Sequence, residues 1–150
     1  MTASTTIYSC AAQFFGNGTV DWDTDNLMML LVTSNYSFNQ TTHTQLSDVS
    51  AFEIAAGNGY SAGGITCVGT VTRVGALTTF GLTDAVWVAT GGNIPNFRGV
   101  VGYSNVTRNA VVGPLIFYGL ADITPADIPA TLNGATLRIK INTAGIFTSP

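Results

Sequence analysis

The sequence predicts an all-β fold: an antiparallel β-sandwich or barrel-like single domain over residues 1–150, with a short N-terminal helix. Three observations carry this. About seven or eight short runs rich in Val, Ile, Thr, Phe, Tyr and Trp are spread along the chain. Turn signals such as Asn58-Gly59, Gly91-Gly92-Asn93 and Asn133-Gly134 separate them at roughly eight- to twelve-residue intervals. No heptad, internal repeat or linker interrupts the pattern.

In chain order, residues 1–6 are small and polar and read as a mobile or partner-bound tail. Ile7, Cys10, Ala11, Phe14 and Phe15 recur at helical spacing, Ser4, Thr5 or Thr6 offer a cap, and Gly16-Asn17-Gly18 stops the element; it reads as a short helix, with a strand as the alternative because Ile, Tyr and Phe are β-prone. Asp21, Asp23 and Asp25 then alternate as in a calcium loop. Such a loop needs a glycine after the third acid and a glutamate at its twelfth position, and Asn26 and Val32 stand there instead. The stretch therefore reads as an Asx-stabilised turn with Trp22 on the core. Leu27 to Val32 is continuously apolar and too short for a helix, the signature of a strand buried on both faces.

The polar loop from Thr33 to Leu46 contains Tyr36, Phe38, Asn39 and His43. Its amides, hydroxyls and rings make these four candidates for protein contact. The alternative is a solvated connection with its aromatics tucked inward and His43 hydrogen-bonded. The chain is organised around the next stretch, Asp48 to Gly64. An alternating piece (Val49, Ala51, Phe52, Ile54) breaks there into a corner built from Gly57, Gly59, Tyr60, Gly63 and Gly64. Tyr60 is positioned to fold over bare glycine backbone, and the corner is expected to carry the chain between two layers of sheet.

The remaining runs are strands. Ile65 to Thr72 alternates, Leu77 to Leu82 follows Gly75, and Ala85 to Ala89 carries Trp87 as a core anchor. In Phe97 to Tyr103, Gly99 and Gly102 allow close backbone approach or a bulge. A polar hairpin from Ser104 to Ala110 precedes Leu115 to Ala121. Asp122 to Pro129 is a loop or single helical turn. Ala135 to Ile141 points Leu137, Ile139 and Ile141 inward, and Ile146 and Phe147 form the last anchor.

Composition narrows function. Charged residues are 9% against 46% hydrophobic, where soluble domains carry about a quarter charged. Thr, Ser, Asn and Gly must cover the surface, which suits a chain that sits against other subunits. A net charge of −3 with no Lys/Arg cluster argues against nucleic acid. No apolar run approaches a membrane span, and MTASTTIYSC lacks the features of a signal peptide. Cys10 and Cys67 read as small buried hydrophobes rather than a disulfide. No Gly-x-Ser-x-Gly, HExxH, CxxC or Walker motif occurs, and Glu53 is the sole glutamate. No catalytic residue, metal ligand or cofactor is expected.

Four segments carry a resemblance: VDWDTDNLMMLLVTSNYSFNQTTHTQLSDVSAFEIAAGNGYSAGG, TDAVWV, PLIFYGLAD and GATLRIKINTAGIFT. Together they resemble a family of small virion structural proteins of tailed bacteriophages. The likeness is loose between Val71 and Asn109. It implies a non-enzymatic particle component, assembled in the host cytoplasm and located on the virion. With the charge-poor surface, the expectation becomes a capsid decoration or cement protein. Its partners would be the major capsid protein or other virion subunits and further copies of itself, with neither nucleic acid nor membrane. The alternatives are a tail, neck or fibre-associated subunit and, in another class, a carbohydrate-binding module stacking sugars on Tyr36, Phe38, Tyr60 or Trp22.

Overall fold

A computed structural model describes residues 4–121 and 126–150. The elements run β1 (Ser4–Ile7), α1 (Ser9–Gly16), β2 (Leu27–Val32), two 3₁₀ turns (Leu46–Asp48 and Ser50–Phe52), β3 (Ile65–Cys67) and β4 (Gly69–Val74). They continue as β5 (Leu77–Leu82), β6 (Ala85–Val88), β7 (Gly99–Ser104), β8 (Thr107–Arg108), β9 (Val111–Val112), β10 (Leu115–Leu120), β11 (Thr136–Ile139) and β12 (Phe147–Ser149). The fold is all-β and sandwich-like, with one short helix. A five-stranded antiparallel sheet, ordered β1-β10-β7-β2-β3, is accompanied by a three-stranded sheet β12-β5-β4 and the pairs β11-β6 and β8-β9.

Strand β2 explains why its sequence is apolar throughout. Leu27, Met29 and Leu31 enter a large core with Trp22, Trp87, Phe97 and Phe117. Leu30 and Val32 enter a second core with Tyr8, Tyr36, Val49, Val101 and Tyr118. A strand flanked by two cores has no face to leave polar. Its neighbour β7 approaches β10 closely because it carries glycines. A Cβ on Gly102 would collide with the Phe117 ring, and one on Gly99 would lie 2.7 Å from Tyr118. The β7–β10 register shifts between Leu115 and Phe117.

The helix forms where its spacing predicts, burying Ala11 and Phe14. Its start corrects the expectation. The N-cap is Tyr8, in extended conformation with no side-chain cap, because Ser4, Thr5 and Thr6 are committed elsewhere. They belong to β1, which pairs with β10 from Ser4↔Leu120 to Ile7↔Phe117. Residues 4–6 are thus a sheet edge rather than a tail; residues 1–3 lie outside the described set. Residues 122–125 of the expected 122–129 loop do as well.

On the other side of the helix, Phe15, Trp22, Phe80 and Phe147 form an aromatic cluster, with Phe80 and Phe147 stacked at 4.3 Å. This cluster ties the chain's end to its beginning and accounts for the predicted Phe147 anchor. The alternating piece Val49, Ala51, Phe52 and Ile54 is not extended throughout, because Ser50–Phe52 is itself a 3₁₀ turn. Asp48 Oδ2 accepts the Thr44 and Gln45 amides at 2.8 and 3.1 Å, closing a capping box that winds the chain into tight turns. Further on, Asn109 and Ala110 both take positive φ (51° and 63°), which builds the predicted polar hairpin as β8–β9.

Candidate functional site

The glycine corner is the most tightly specified feature of the chain. Strand β3 pairs with β2 only as far as Ile65↔Met29. Beyond that point Leu31 keeps β7 on one side but has no strand on the other, where side-chain and loop groups take over the ladder. Its N–H donates to the Tyr60 hydroxyl at 3.0 Å, and its carbonyl accepts the Ile54 amide at 3.0 Å. Tyr60, 2% exposed, donates in turn to Glu53 Oε1 at 2.7 Å, and the same oxygen accepts the Gly63 amide at 2.7 Å. Burial above all pushes the Tyr60 hydroxyl well above its ordinary pKa, so it stays protonated and able to donate. The sole glutamate is therefore bound into the corner's own hydrogen bonds.

The corner does not carry the chain between layers as expected. It leaves from beside β2 and returns to β3 in the same sheet. It instead rests on the end of β6: the Thr90 amide donates to the Asn58 carbonyl, and Asn58 Nδ2 donates to Asn93 O at 2.9 Å. The crossing comes later, at Val68, between β3 and β4. Gly57, Gly59, Gly63 and Gly64 all take positive φ, as does Asn58, so the corner's backbone reversal is as the residues predicted.

The four contact candidates of the polar loop are placed unequally. Tyr36 is buried; its hydroxyl meets Tyr8 Oη at 2.7 Å and His43 Nδ1 at 2.8 Å. Phe38 is half-buried, stacked on Tyr118 at 4.8 Å and tilted against Tyr8. His43 is thus a hydrogen-bonded structural histidine. Only Asn39 is exposed, and its Oδ1 accepts the Thr41 and Thr42 amides within the loop. The loop's rings form the cover of the second core, and what it offers outward is amide and hydroxyl. Trp22, Tyr36 and Tyr60 are each at most 6% exposed, so three of the four rings considered as sugar platforms have no free face.

In the acidic turn Asp25 is the working residue. Its side chain, 1% exposed, pairs with Arg108 at 2.8 Å and accepts the Ser104 hydroxyl and the Asp21 amide at 2.8 and 2.9 Å. Asp21 and Asp23 hydrogen-bond to each other, which lowers the first carboxyl and raises the second. Among the described residues no three His, Cys, Asp or Glu side chains are grouped to hold a metal ion. Replacing Asp25 with Ala is expected to cost about 2 kcal/mol in urea unfolding, because it orphans the buried Ser104 hydroxyl and gives up the bond to the Asp21 amide. The half-exposed Arg108 can turn to water, which keeps the loss below that of a fully buried pair.

A cleft of about 770 Å³ opens between the five-stranded sheet and β11. Met29, Phe97, Val100, Phe117 and Leu137 give it an apolar floor; Ser4, Thr5, Asn142 and Thr143 are its uncharged polar groups. Both cysteines are free, and burial pushes each thiol up to about 11 from an ordinary 9.0. Unfolded thiols ionise near pH 9 while folded ones resist, so their contribution to stability is complete below pH 9 and is lost as pH climbs towards 11. Buried Tyr8, Tyr60 and Tyr103 add to the same trend. Thermal unfolding against pH is expected to show no loss from about neutral pH up to pH 9 and a fall above it. Among the described residues no helix is long and apolar enough to cross a membrane. Comparison with known proteins finds no matching family, no matching curated sequence and no matching solved structure.

Proposed function

We propose that the chain is a non-enzymatic structural component of a tailed-phage virion, a capsid decoration or cement protein that binds across capsid subunits. One observation supports this above others: most of the few charges are tied up in ion pairs or hydrogen bonds within the chain, and much of the outer surface is left neutral and partly apolar. Arg98, Arg108 and Arg138 are paired with Asp127, Asp25 and Asp84. Asp48 caps a 3₁₀ turn and Glu53 holds the corner. Outside, Val68, Val74, Val86 and Val88 are exposed, Val74 to 81%. Exposed apolar side chains of this kind are costly in water and become favourable when neighbours cover them.

On a shell lattice each contact is small and repeated, so multivalency supplies the hold. Quantitative mass spectrometry of purified particles tests the reading. A shell decoration is expected on the order of hundreds of copies per particle, whereas a tail or neck part follows a lower symmetry with a few dozen at most. Absence from purified particles overturns the proposal.

A further inference from the structure

Strand β4 is the outer edge of the three-stranded sheet, and its geometry specifies a partner. It joins β5 through Gly75 and Ala76, of which only Gly75 takes positive φ (61°), the pattern of a type II′ hairpin. In a two-residue hairpin the flanking pair, here Val74↔Leu77, is the hydrogen-bonded one. Thr72↔Thr79 and Thr70↔Gly81 follow as hydrogen-bonded pairs by alternation. Val71 and Arg73 therefore turn their N–H and C=O groups towards the open edge, where no described residue pairs with them. Residues 70–74 are all exposed.

This edge lacks the usual protections against pairing. It has no Pro, Lys or bulge, and its single charge, Arg73, is folded back with Nε donating to Gly75 O at 3.0 Å. We infer that β4 pairs with β4 of a second copy, antiparallel about a twofold axis through Thr72. In that register Thr72 faces Thr72, Thr70 faces Val74, and Val71 faces Arg73. Each of the two Val71–Arg73 pairs exchanges both of its outward hydrogen bonds. No like charges are opposed, and every pair except those containing Arg73 joins β-branched residues. The pairing stops at Thr70 because Gly69 is buried against the Trp22 carbonyl. The product is a continuous six-stranded sheet whose outer face, carrying Thr72, Val74, Leu77, Thr79 and Thr148, has no charged side chain.

The inference rests on the edge alone and not on the virion reading. The test uses the full chain in sedimentation equilibrium. Wild type is expected to show a concentration-dependent dimer. Thr72→Lys and Thr72→Glu each place like charges on the axis and are expected to weaken it about tenfold. An equimolar mixture of the two should restore it, which a merely misfolded variant would not do. Thr72→Cys should give a disulfide-linked dimer on oxidation, because facing residues in a non-hydrogen-bonded pair have Cβ atoms within about 5 Å. Val88→Cys, on another sheet, should not. A wild type that remains monomeric overturns the inference and leaves the edge for a strand of another protein. A dimer indifferent to both charges at residue 72 overturns it by placing the interface elsewhere.

Discussion

Gly64→Ala is expected to leave no folded protein, a loss of more than about 5 kcal/mol, which is comparable to the whole stability of a small domain. Gly64 has φ +81°, a conformation that already costs a side chain about 1–2 kcal/mol. The larger effect is steric. A Cβ at this position would collide with the Met29 carbonyl and lie 2.7 Å from Leu30 Cα. Both belong to β2, the strand between the two cores, so nothing there can yield without disturbing both. Gly134→Ala is the control. Its φ is +84° and nothing lies within 4 Å, so strain alone should appear, about 1–2 kcal/mol in thermal or urea unfolding. Equal melting of the two variants would contradict the packing described.

Tyr60→Phe is expected to cost about 3 kcal/mol, although it removes a single oxygen. That oxygen accepts from Leu31 N–H and donates to Glu53, so its loss orphans a buried amide and strips a carboxylate of one of its two donors. Nearby Tyr103 provides a comparison: its hydroxyl donates only to the Gly63 carbonyl at 2.9 Å, and Tyr103→Phe should cost about 1 kcal/mol. Because Tyr60 and Glu53 act together, Glu53→Gln should cost less in the Tyr60→Phe background than in wild type. A double-mutant cycle by urea unfolding measures the difference, and strict additivity would contradict the coupling.

Much of this fold is legible in the residues. The continuous run Leu27–Val32 announces a strand with two buried faces, and the dense glycines of the corner announce positive φ. What local pattern misses is what distant partners decide. Ser4–Ile7 has too little apolar surface to be read as a strand, yet the open edge of β10 gives its backbone a partner. Val49, Ala51, Phe52 and Ile54 alternate as a strand would, but Asp48 captures two amides upstream and the chain coils into 3₁₀ turns.

The candidate surfaces follow the same logic. Tyr36, Phe38 and His43 stand in a polar stretch and so suggest an outward role; Tyr36 and Phe38 instead pack on Tyr8 and Tyr118, more than 25 residues away on one side and 70 on the other, and His43 is held by the Tyr36 hydroxyl. The exposed edge of β4 carries no sequence signal, since its Val and Thr alternate like any half-buried strand. Only the sheet order shows that one side of it is open.

A cryo-EM map of the particle with this chain traced in it tests the central claim most directly. The account predicts the chain at junctions between capsid subunits, its neutral Val and Thr faces covered by neighbours. A map in which the chain is absent from the shell, or stands on the shell with those faces bare, would contradict it.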